Sequence, residues 1–150
     1  MSPEAAAEMG RMGAVAAMGL AAAGSALGTY SAGLGAVGAW KKLLGQGRPA
    51  PFTLFTFVGA PLSQTIYGMI LMITMTGKAD AGYDPWGLLG VGIAAGIGMG
   101  MSAYGQGRAG AACADALAET GQGFSNYLAV IGIVETVAIF VLVFSILALG

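Results

Sequence analysis

From Met12 onward the chain gathers its charges into three short clusters and one isolated carboxylate. Lys41, Lys42 and Arg48 form the first cluster. Lys78, Asp80 and Asp84 form the second, and Arg108, Asp115 and Glu119 the third. Four uncharged stretches remain: Met12 to Trp40, Pro49 to Gly77, Pro85 to Gly107, and Thr120 to Gly150, the last broken only by Glu135. A helix needs about 20 mostly apolar residues to cross the hydrocarbon of a bilayer. Each stretch is long enough, so the pattern predicts four transmembrane helices. The alternation that marks barrel strands is absent. Composition agrees: 57% of residues are hydrophobic and 9% charged, whereas soluble domains carry about 25% charged residues. The expected fold is an all-α membrane protein, one membrane domain over residues 1–150.

The same residues exclude several classes of function. A net charge of −1 leaves no basic footprint for nucleic acid. Histidine is absent, which removes the usual zinc ligand and the usual general base. The single cysteine, Cys113, has no partner for an intramolecular disulfide and reads as a small apolar packing residue. Glu4 and Glu8 precede Arg11, whereas a secretory signal wants a positive start and a short apolar core. The first apolar run is therefore read as a retained span.

The clearest positive excess lies in the first connection, which places it in the cytoplasm. The connection near 108–122 is then cytoplasmic too, and both termini lie outside. Trp40, Tyr83, Trp86 and Tyr127 fall near span ends, as interfacial aromatics do.

The four spans form two copies of a helical hairpin, at about residues 10–77 and 85–150. Ser31-Ala32 recurs as Ser102-Ala103. Gly33, Gly35 and Gly38 recur as Gly105, Gly107 and Gly110, one residue out of step, which a short indel explains. Gln64 falls where Glu135 falls in the second copy. An internal duplication thus sets an amide and an acid at equivalent depth. The odd spans are crowded with small residues: Gly24 and Gly28 stand four apart, as do Gly92, Gly96 and Gly100. That spacing lets helix backbones approach closely in lipid. The even spans carry bulky residues such as Phe52, Phe55, Phe57, Phe140 and Phe144. Slim helices inside and bulky ones outside make a wedge, and wedges close into rings through head-to-tail contacts. A compact monomeric four-helix bundle fits the glycine pattern equally well.

Two segments, Gly33 to Gly38 and Gly105 to Gly110, match the dinucleotide fingerprint GxGxxG. That fingerprint needs a strand before it and a helix starting at it. Here each lies within an apolar helix and one repeats the other, so both read as helix packing.

Glu135 is the leading functional candidate. A carboxylate at bilayer depth costs about 3 kcal/mol or more and needs a proton, a cation or a donor beside it. The second span reads Ala60-Pro61-Leu62-Ser63-Gln64-Thr65-Ile66-Tyr67. Pro61 lacks an N–H, frees a carbonyl about one turn back and kinks the helix. Ser63 and Gln64 offer a hydroxyl and an amide oxygen beside the kink, and Tyr67 shares their face. Gln106 comes from the third span. Neutral oxygens around one carboxylate suit a hard monovalent cation such as Na+, whereas a carrier of H+ needs only the carboxyl and one partner. Read one at a time, Ser63 and Gln106 also fit hydrogen-bonded helix glue.

With these residues in place, the chain resembles the sixteen-kilodalton proteolipid of rotary V-type ATPases, most of all the sodium-translocating bacterial form. The resemblance covers nearly the whole chain, and Ile133-Val134-Glu135-Thr136-Val137-Ala138-Ile139 is similar to the family's ion-carrying segment. The family's sodium ligands map onto the Ala60 main-chain carbonyl, Ser63, Gln64, Gln106 and Glu135, with Tyr67 and Pro61 in support. Ser63 stands where the family usually has Thr, and Leu62 where it usually has Gly. The resemblance implies a homo-oligomeric ring in membrane lipid, turning against a stator protein whose arginine unloads Glu135. It implies that the loops near 41–48 and 108–122 face a central-stalk socket. ATP hydrolysis then belongs to partner subunits, with no covalent chemistry in this chain. A small secondary transporter is the more distant alternative, although its repeats would usually be inverted. A structural or channel-forming membrane protein is another.

Overall fold

A computed structural model describes residues 1–150, and the chain is helical nearly throughout, with no strand. Four helical spans are long and apolar enough to cross a membrane: Pro3–Gly45, Phe52–Asp80, Pro85–Thr120 and Phe124–Ala148. Local sequence sets their ends. The Ser2 side chain accepts from the Ala5 N–H, with Pro3 at the first helical position. Asp84 and Pro85 repeat this arrangement at the third span, where the Asp84 side chain accepts from the Gly87 N–H. Both are N-terminal caps that satisfy an otherwise orphaned amide. Gly121 stops the third span with φ 66°, a left-handed conformation that glycine adopts without a steric penalty.

The odd spans outrun the uncharged stretches. At 1.5 Å per residue, the 43 residues of the first span reach far beyond the ~30 Å hydrocarbon. The charge pattern predicts that the third span ends near Gly107, with a loop from Arg108. Instead it continues as helix to Thr120, and only residues 121–123 separate it from the fourth. Arg108, Asp115 and Glu119 therefore ride on a helical extension rather than in a loop. Arg108 ends the apolar run, but the alanine-rich segment after it keeps a strong helix preference.

Ion pairs mark the two ends of the bundle. Lys42 meets Glu119 at 2.5 Å, joining the first and third spans. At the opposite end Arg11 meets Asp80 at 2.7 Å, joining the first and second. Both pairs are exposed, where such bridges contribute little. They fix register more than stability.

The first and third spans run parallel in close contact. A Cβ at Gly100 would come within 2.6 Å of the Leu20 carbonyl oxygen, and one at Gly96 within 2.8 Å of Ala16 O. Gly24 faces the Gly100 backbone, Gly28 that of Ala103, and Gly92 that of Gly13, still more tightly. Dispersion and close backbone approach hold such helices together, because lipid supplies no hydrophobic drive between them. The fourth span is the most exposed: Ile133, Val137, Phe140, Phe144 and Leu147 all point outward.

Two apolar clusters fill the interior. One centres on Ala17, Ala21, Leu71, Met75, Leu88, Met99 and Ala138. The other centres on Leu43, Leu54, Phe57, Ala114, Leu117 and Ile131. The buried polar side chains Ser25, Gln64, Ser102 and Gln106 belong to neither.

Candidate ion-binding site

Pro61 shapes the second span at this level. A short α-helix, Phe55–Gly59, gives way to a 3-10 turn at Ala60–Leu62 before the helix resumes over Ser63–Asp80. The tighter turn lets the Ser63 N–H reach the Ala60 carbonyl, and the Ser63 hydroxyl reaches the same oxygen at 3.0 Å.

Glu135 is half-buried on the fourth span. Both of its carboxylate oxygens have donors. The Tyr67 hydroxyl donates to Oε1 at 2.6 Å, and Gln106 Nε2 approaches Oε2 at 3.3 Å. Gln106 Nε2 also donates to the Ile131 carbonyl at 3.1 Å. None of the three ion pairs of the molecule involves Glu135. Its charge is thus held among neutral groups, and a proton or a small cation must balance it for the site to persist at depth.

These contacts orient both amides. Gln106 faces two acceptors, Ile131 O and Glu135, so its nitrogen points to them and its oxygen points away. That oxygen accepts from Gln64 Nε2 at 2.9 Å, which turns the Gln64 oxygen toward Ser63 Oγ, 3.2 Å distant. Gln64 and Gln106 are both fully buried, so neither amide has water to turn to. The outcome is a corner of three oxygens, from Ala60, Ser63 and Gln64, around one hydroxyl proton. That proton can serve only one of its two acceptors at full strength.

Six of the seven residues singled out at the kink and on the third and fourth spans join one connected network, and Pro61, which shapes the kink, stands outside it. Ala60 enters it through its carbonyl, Ser63 and Gln64 through their side chains, and Tyr67 and Gln106 through direct contact with Glu135. Ser102 was not among the site residues, yet its hydroxyl donates to the Val134 carbonyl at 2.8 Å. It thereby anchors the fourth span one residue before Glu135. Its repeat counterpart Ser31 bonds only to Leu27 O of its own helix. The repeated Ser-Ala pair was the available signal, but sequence does not say that one copy turned across to a neighbour.

Among known families, that of the ATP synthase C-subunits matches residues 89–148. The match takes in most of the third span and the fourth, with Gln106 and Glu135 inside it. No curated protein matches the chain. The match spans 60 of the 150 residues, and it lies in a chain with four helices long and apolar enough to cross a membrane.

Proposed function

We propose that the chain is the ion-carrying component of a rotor ring in a V-type ATPase and that its cargo is Na+. The corner formed by Ala60 O, Ser63 Oγ and Gln64 Oε1 carries this reading. It is rich in acceptors and poor in protons, and it lies on the same network as the Glu135 carboxylate. A hard cation takes oxygen ligands, and such a corner replaces part of its hydration shell while Glu135 supplies the balancing charge. A proton would use Glu135 alone and leave the corner only to fasten the kinked second span. Tyr67 and Gln106 hold the carboxylate from the two sides.

The site sits toward the outer face of the bundle. Thr136 and Val137, beside Glu135, are exposed. A stator surface passing this face reaches the carboxylate without crossing the slim first and third spans. An arginine there would compete with the cargo for Glu135 and unload it. The helical ends carrying Lys41, Lys42 and Arg108 would meet the central stalk on the cytoplasmic side. One acid for every four helices means few ions per turn and more free energy available to each, which favours ATP-driven pumping.

Carbodiimides modify carboxyls in their protonated form, so a bound cation protects. In membranes, millimolar Na+ should slow labelling of Glu135, K+ should not, and the protection should weaken as the pH falls. Labelling that ignores Na+ at every pH would make the cargo a proton.

A further inference from the structure

Arg11 and Lys42 each meet a carboxylate, whereas Arg108 meets none. Its one hydrogen bond runs to the Tyr104 hydroxyl, 3.3 Å away on the preceding turn, and its Cζ lies 5.9 Å from the centre of that ring. A guanidinium carries five N–H donors, so most of them face no acceptor in this chain.

The direction of this side chain matters, because Arg108 closes the uncharged stretch that begins at Pro85. At 1.5 Å per residue that stretch is ~35 Å long, close to one hydrocarbon thickness. An arginine at such an edge ordinarily extends toward water. Side chains on a helix lean toward its N-terminus, which for the third span lies across the membrane. The bond to Tyr104 keeps Arg108 leaning that way. Its charge is held at headgroup level and turned toward the acyl chains.

Tyr104 also ends a groove of about 190 Å³ between the first and third spans. The groove exists because Gly24 and Gly100 bring two backbones together and set no side chain over the seam. Leu20 and Leu27 wall it on one side, Ile97 and Met101 on the other, and all four are exposed. No residue of the second or fourth span lines it, so it lies away from Tyr67 and Glu135. Met101, Tyr104 and Arg108 follow at steps of three and four residues and share a helix face. A cation, a phenol and an apolar trough thus stand in line.

We propose that this face seats an anionic phospholipid: Arg108 and the Tyr104 hydroxyl hold its phosphate, and an acyl chain lies in the groove between the first and third spans. Paired guanidinium donors match phosphate oxygens, and basic pockets between membrane helices take such headgroups. A zwitterionic headgroup would bring a second cation beside Arg108, which favours a lipid of net negative charge. Lys42 and Glu119 pair at the tips of the same two spans, ~16 Å beyond Arg108, so the lipid leaves those tips free for a protein partner. The seat does not depend on which ion Glu135 carries.

Native mass spectrometry of the full chain in mild detergent tests the seat, with phosphatidylglycerol and phosphatidylcholine of identical chains as probes. The wild type should bind phosphatidylglycerol about 10-fold more tightly, as one charge-assisted hydrogen bond predicts. Arg108→Gln should erase that preference, and Arg108→Lys, which keeps the charge without the paired donors, should retain part of it. Arg48→Gln removes an exposed cation elsewhere and should retain all of it. Ala23 lines the groove, so Ala23→Phe should weaken both lipids and leave their ratio unchanged. Equal binding of the two lipids by the wild type, or a preference that survives Arg108→Gln, overturns the proposal. So does an Arg108→Gln that changes only the mass of the assembly, since the face would then be a contact between copies. Binding indifferent to Ala23→Phe would mean a phosphate contact with no chain in the groove, and the seat would fall.

Discussion

Tyr67 and Glu135 come from different hairpins, and the phenol hydroxyl of one lies 2.6 Å from the carboxylate of the other. The contact joins the second span to the fourth at the level of the site. It holds Glu135 in place without neutralising it. Tyr67→Phe keeps the ring and removes only the donor. A hydrogen bond to an ionised group contributes about 1.5–3 kcal/mol, and partial exposure of both residues puts this one at the lower end. We expect Na+ protection of Glu135 to weaken about 5- to 30-fold, with carbodiimide labelling faster at any given Na+ concentration. An unchanged protection curve would show that Tyr67 packs against the site without holding it.

Gln106 touches Gln64, Ile131 O and Glu135, so Gln106→Leu breaks three contacts at once. It leaves the Gln64 amide nitrogen buried and unpaired, at about 1–3 kcal/mol, whereas the Ile131 carbonyl keeps its helical bond. Both the melting temperature and Na+ protection should fall. Ser102→Ala provides the contrast, because Ser102 bonds only to Val134 O. It should lower stability by about 1 kcal/mol and leave the Na+ curve in place. If the two variants gave the same profile, the division between site and anchor would be wrong.

Glycines of the first span differ in what surrounds them, and substitution should separate them. Gly24 lies directly on the Gly100 backbone, whereas Gly19 has nothing within 4 Å. Gly24→Val must push the first and third spans apart, with an overpacking cost of about 1–3 kcal/mol or more. We expect it to lower the melting temperature in detergent and reduce assembly in membranes. Gly19→Ala should be neutral or stabilising by up to about 1 kcal/mol, since alanine is the better helix former. Equal effects at both positions would remove close backbone approach as the reason for the glycines.

The number of spans was legible in the sequence because lipid makes charge and polarity expensive. Four uncharged stretches had room for only four crossings, and Gln64, Gln106 and Glu135 stood out against apolar neighbours. Helix ends were less legible. Arg108 ends an apolar run, yet the helix ignores it and continues to Thr120, because beyond the hydrocarbon a charged residue carries no penalty. Hydrogen-bond direction was not legible at all. That Gln106 turns its nitrogen to Ile131 O and Glu135 follows from the spacing of three helices, and no single-chain periodicity encodes it.

Ser63 is where the two cargo readings diverge most sharply. Its hydroxyl lies 3.0 Å from Ala60 O and 3.2 Å from Gln64 Oε1, and it touches neither oxygen of Glu135. A proton carried on Glu135 would not register its loss. A sodium ion seated in the corner would lose one of its oxygen ligands. Ser63→Ala should therefore raise the half-protecting Na+ concentration by about tenfold or more, equivalent to roughly 1.4 kcal/mol. Labelling of Glu135 in the absence of Na+ should stay near the wild-type rate. Ser63→Thr retains the hydroxyl and should restore protection, provided the added methyl fits beside Ala60. Should Ser63→Ala leave protection unchanged while Tyr67→Phe weakens it, the ion would sit at the carboxylate alone, and the oxygen corner would serve only to fasten the kinked second span.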